Sequence, residues 1–114
     1  MVITKVDYVE EYIKHPVLIK EDFTIYFQYK DDYIIVHCDV DRWSKSVMNR
    51  LMLDSFYLFK IQEKPIYAFH DVQDKKHLKF ITRMGFTSVV CEVSTEDGNR
   101  LMFQWEGIWY GKSI

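Results

Sequence analysis

Glycine and proline are scarce in this chain, at 4 and 2 of 114 residues. Their scarcity excludes collagen-like and linker-like character and leaves no low-complexity boundary between domains. Cysteine is scarce too. Cys38 and Cys91 lie in apolar runs with strand character and show neither a Cys-x-x-Cys nor a Cys/His spacing. They read as buried, reduced thiols acting as small hydrophobes. No apolar run approaches the roughly 20 residues of a membrane helix, and the N-terminus has no signal-peptide pattern. Charge of one sign is also missing: 15 basic and 17 acidic side chains leave a net of −2. That balance offers no bulk attraction to nucleic acid or to an anionic membrane. The expectation is a soluble, cytoplasmic protein with no nucleic-acid and no membrane partner.

Aromatic residues are plentiful, at 17% of the chain. Large rings bury much area per residue, so a short chain can build a dense core, and the length suits one domain over residues 1–114. Residues 2–6 form a candidate first strand. Residues 8–15 place Val9, Tyr12 and Ile13 at helical spacing, with Pro16 ending that helix. Residues 23–29 alternate, Phe23, Ile25, Phe27 and Tyr29 against Thr24, Tyr26 and Gln28, which predicts a strand. A turn at Lys30-Asp31-Asp32 joins it to a strand over 33–40. Asp41 or Ser44 then caps a long helix to about Lys60. Apolar residues surround most of that helix, which predicts a central, heavily buried element. Residues 66–69 are a short apolar strand. Asp74 caps a second helix with His77, Leu78, Phe80, Ile81 and Met84 on its apolar face, and Gly85 fits the position just past its end. Residues 87–94 and 100–105 are two strands joined by a turn at 96–99. A strand–helix–strand unit demands a crossover, hence one parallel pair in a mixed sheet.

The segment at residues 74–86, DKKHLKFITRMGF, is similar to the N-x-x-A-x-x-L-Y-x-x-x-G-F motif of the GNAT (N-acetyltransferase-like) superfamily. Gly85-Phe86 matches its close, Asp74 stands at the Asn and Phe80 at the Leu. The pattern resembles most the small GNAT-like internal virion proteins of T7-like phages. The carrying residues are His77-Leu78-Lys79-Phe80-Ile81, Gly85, Asp97-Gly98 and Gly111-Lys112. The resemblance covers about residues 23–112. It implies an α+β, GNAT-like mixed central sheet with helices on both faces and a reduced N-terminal part. It also implies that residues 66–69 run parallel to 33–40, with the two strands splaying at their C-terminal ends. For a viral protein, the location becomes host cytoplasm or virion.

The same resemblance marks departures at the reaction centre. GNAT enzymes hold the acetyl-CoA pyrophosphate on a Q/R-x-x-G-x-G/A loop, where glycine lets backbone amides approach the phosphates at a helix N-terminus. Here the loop is Asp41-Arg42-Trp43-Ser44-Lys45-Ser46-Val47, with Ser44 and Ser46 in place of the glycines. Arg42, Ser44, Lys45, Ser46 and Val47 are the candidate cofactor-binding residues, with Asp39 and Asp41 opposing a phosphate. The family's usual general-acid Tyr falls at Ile81, which has no proton to give.

Other residues carry two readings each. His70 and Asp71, at the end of a central strand, are the candidate catalytic pair, or a loop histidine beside a turn-capping acid. His37 and Asp39 share a strand face; with His70 they give no ligand spacing that supports a metal. Lys75, Lys76, Lys79 and Arg83 form a basic stripe: a solvated face, or a patch for phosphate or an acidic partner. Trp105 alternates with Phe103 and Leu101 and so packs on a sheet face. Trp43, Trp109 and Tyr110 are less easily placed, and Trp109 and Tyr110 read either as interface anchors or as a tail folded onto the sheet. The function expected is a non-enzymatic protein–protein interaction module, in virion assembly or host-protein binding, with no cofactor and with a protein partner or self-association. The alternatives are a CoA-dependent N-acyltransferase using acetyl-CoA with an atypical loop, and a small-ligand or dimerisation module using the cleft between the two central strands.

Overall fold

A computed structural model describes residues 4–7, 13–71, 73–95 and 98–107. Nine elements follow in order: β1 (Thr4–Asp7), β2 (His15–Ile19), β3 (Phe23–Tyr29), β4 (Ile34–Val40), α1 (Lys45–Lys60), β5 (Ile66–Asp71), α2 (Lys75–Arg83), β6 (Phe86–Thr95) and β7 (Gly98–Trp105). The strands form one mixed, seven-stranded sheet in the order β1-β6-β7-β5-β4-β3-β2. The fold is α+β. β4 and β5 are parallel neighbours joined through α1, the crossover that the sequence demanded.

Local chemistry accounts for the helix ends. Ser44 is the N-cap of α1, its Oγ accepting from the Val47 amide at 3.1 Å. Asp74 caps α2, its Oδ1 accepting from the His77 amide at 3.0 Å. Gly85 follows α2 at φ 100°, a left-handed conformation that costs glycine little and other residues more.

The main core lies on one sheet face. Phe23, Ile25 and Phe27 of β3, Ile66 and Ala68 of β5 and Phe103 of β7 meet Val47, Leu51 and Phe59 of α1 and Ile81 of α2. Both helices therefore contribute to the same cluster, which corrects the expectation of helices on both faces. Two successive crossovers of one hand, moving the same way across a sheet, return to the same side. The opposite face holds a smaller cluster around Ile35, Val93 and Met102.

Three further expectations are corrected. Helix α1 buries a stripe, Val47, Leu51, Met52, Ser55 and Phe59, while Tyr57 is 59% exposed, so it is amphipathic and not enclosed. Leu78, expected on the apolar face of α2, is exposed. Of the helix expected over 8–15, residues 8–12 lie outside the described residues, and His15 and Pro16 belong to β2. That strand is the last described one on its side of the sheet, where a proline's missing amide donor is tolerated.

Candidate functional site

The site arises from a divergence in the sheet. β4 and β5 pair at only two positions, Ile34 with Ile66 and Ile35 with Tyr67. Beyond them β4 continues to Val40 beside β3, and β5 to Asp71 beside β7. The separation leaves a cavity of about 490 Å3, within the range of about 300–1,000 Å3 usual for small-molecule sites. Residues 36–40 and 68–69 wall it. Helix α1 contributes Leu51, Ser55 and Phe59 at successive i+4 positions, and α2 contributes His77, Phe80 and Ile81.

The interior and the rim differ in chemistry. Ile25, Leu51, Phe59, Ala68, Ile81 and Phe86 are all buried. Ser55 is buried with them, and its Oγ has no hydrogen-bond partner among the described residues. The rim carries Lys14, His37, Asp39, His77 and Arg100. His37 Nε2 lies 2.9 Å from Gln28 Oε1.

His70 is 2% exposed. Its ring stacks on His77, with centroids 5.3 Å apart and planes 14° apart. The two Nδ1 atoms are 3.0 Å apart, so one carries the proton and the other accepts it. His77 lines the cavity and His70 stands behind it. Burial, and then the neighbouring His70, hold the His77 pKa below its ordinary 6.5, against the opposite pull of Asp74 and Asp71. Asp71 is exposed, its Oδ1 accepting from the Gln73 amide at 3.0 Å. Being consecutive in a strand, His70 and Asp71 point to opposite faces, so the expected catalytic pair is not assembled. His77, assigned from sequence to an apolar helix face, lines the cavity together with His37, whereas His70 does not. Its signal was the seven-residue spacing from His70 across a strand-to-helix turn, which acquires meaning only once α2 lies against β5.

The loop before α1 is arranged for capping. Arg42, Ser44, Lys45 and Ser46 are exposed and Val47 is in the core; none of the five lines the cavity. The loop residue that does is Trp43, 54% exposed, its ring edge-on to Phe80 at 5.3 Å. Cys38 also lines the cavity, but burial and then Asp39 push its thiol up to about 12, so it is not a ready thiolate. Among the described residues no three His, Cys, Asp or Glu side chains converge to hold a metal. Lys75, Lys76, Lys79 and Arg83 are exposed along α2. Trp105 packs on Phe59 and donates its indole N–H to the Met84 carbonyl at 3.1 Å. Trp109 and Tyr110 lie outside the described residues.

No protein-family model matches this chain, and no curated protein or solved structure matches it. Chemistry alone therefore defines the site: an apolar chamber with an ionisable rim, containing a neutral imidazole and a protonated thiol.

Proposed function

We propose that this chain has a GNAT-type fold and acts as a protein–protein interaction module, not as an acyltransferase, in virion assembly or on a host protein. The sheet order and the diverging parallel pair β4–β5 support the fold reading. The observation that carries the functional reading is the sheet margin. β2 is the last described strand on its side; Ile13 and Tyr29 near its start are 65% and 51% exposed, and Ile19 at its other end, opposite Thr24, is 71% exposed. Exposed large apolar side chains along both ends of a sheet margin favour protein contacts. Pro16 and the register shift between Pro16 and Leu18 blunt strand addition, so a partner engages side chains there and not the backbone.

Three features of the cleft weigh against acyl transfer. The Ser44 hydroxyl already occupies the Val47 amide that a phosphate would use. Trp43 rests on Phe80. Ile81, at the position of the family's acid, is 3% exposed and belongs to the core.

Trp109 and Tyr110 are proposed as further anchors. Replacing both by alanine is expected to weaken association by about 2 kcal/mol or more per ring, with little change in melting temperature. Light scattering of the purified chain and pull-down from host lysate, read beside a thermal melt, test this. A large fall in melting temperature with unchanged assembly would reduce the two rings to tail packing.

A further inference from the structure

We infer that the cavity between β4 and β5 binds a small, neutral aromatic molecule carrying one hydrogen-bonding group, with its rings inside and that group on the Ser55 hydroxyl. The inference is independent of the protein-binding reading. It starts from Ser55, which is 1% exposed and whose Oγ has no hydrogen-bond partner among the described residues. A buried hydroxyl without a partner carries a desolvation cost that nothing offsets. A helical serine can escape that cost by donating to the carbonyl four residues back, and Ser55 does not. It lies one turn from Leu51 and one turn from Phe59, on the stripe of α1 that walls the cavity. Its side chain is only Cβ and Oγ, so the hydroxyl stands at that wall.

Water is a poor occupant of this place. An ordered buried water takes about two to four polar partners. The other buried residues of the lining, Ile25, Leu51, Phe59, Ala68, Ile81 and Phe86, have no polar side-chain atom. A molecule that offers one polar atom to Ser55 and apolar surface elsewhere matches the wall better. Phe59, Phe80, Phe86 and Trp43 supply ring faces and edges, which favour an aromatic ligand beyond simple area burial. The charges select neither sign. Lys14 and Arg100 accompany Asp39 at the rim, Asp71 is the register partner of Arg100, and Asp74 caps α2 beside His77. Inside, burial and then Asp39 push the Cys38 thiol up to about 12, so it is protonated and neutral. A charged ligand would lose its hydration in this interior; a neutral one does not bear that cost.

The test is an amide NMR titration of the full chain near neutral pH with naphthol, methylnaphthalene and naphthoate, each substituted at the same ring position. The three share their rings and differ in bearing a hydroxyl, a methyl or a carboxylate. Naphthol is expected to move the Leu51, Ser55, Ala68 and Ile81 amides. It should bind about tenfold tighter than methylnaphthalene, the value of satisfying one buried hydroxyl, and naphthoate should bind no tighter than methylnaphthalene. Ser55→Ala should bring naphthol down to the methylnaphthalene affinity. The same variant should melt no lower than the parent, because it removes a hydroxyl that has no partner. Equal affinities for naphthol and methylnaphthalene, a naphthol advantage that survives Ser55→Ala, naphthoate as the tightest of the three, or cavity amides that do not move would each overturn the inference. So would a lower melting temperature for Ser55→Ala, which would show the hydroxyl to be satisfied already.

Discussion

Single residues set the helix ends and the character of the cavity wall. Ser44→Ala removes the hydroxyl that satisfies the Val47 amide, and Asp74→Ala removes the carboxylate on the His77 amide. Each is expected to cost about 1 kcal/mol, read from urea denaturation midpoints. His77 makes a pH-dependent contribution. Its folded pKa is depressed below 6.5 by burial and by His70, so below pH 6.5 the unfolded chain takes up a proton that the folded chain resists. Stability is therefore full above pH 6.5 and falls progressively as pH drops through that value. His77→Gln should flatten this part of the melting-temperature profile; an unchanged profile would show that the ring is not held neutral. The caps were legible in the sequence, because Ser and Asp before an apolar helical pattern have one local use. The His70–His77 pair was not. Neither residue has a local partner, and their meeting depends on how α2 lies against β5.

At the scale of elements, burial on α1 follows the i, i+4 stripe Val47, Leu51, Ser55 and Phe59. Phe59 sits 5.8 Å from Phe86 and 5.5 Å from Trp105, ring centre to ring centre. Phe59→Ala should destabilise by about 3–5 kcal/mol, whereas Tyr57→Ala, on the exposed side, should fall within about 0.5 kcal/mol of the parent. Comparable losses from both would mean that α1 is enclosed all round. Apolar count alone suggested such enclosure, because Tyr, Phe, Met and Leu fill nearly every turn of this segment; only the sheet decides which stripe is covered. The β3–β4 hairpin was legible, since alternation and the Asp31-Asp32 turn fix pairing locally, and its register runs without a shift from Phe23 with Val40 to Tyr29 with Ile34. The Pro16 segment was not, because a proline reads equally as the end of a helix and as part of an edge strand.

At the scale of the whole molecule, the crossover from β4 to β5 was predictable from element order. The side on which both helices lie follows from the handedness of successive crossovers. The parallel pairing of β1 with β6, Thr4 opposite Cys91, had no local signal, as no turn connects them. The proposed function holds that this cleft does not bind acetyl-CoA. The loop that would hold the pyrophosphate carries side chains at Ser44 and Ser46, the Val47 amide is taken by the Ser44 hydroxyl, and Trp43 stands against Phe80. Calorimetric titration of the chain with acetyl-CoA tests the claim most directly. The account predicts no binding heat even at millimolar ligand. A dissociation constant in the micromolar range, about −8 kcal/mol, would overturn it and favour the acyltransferase reading.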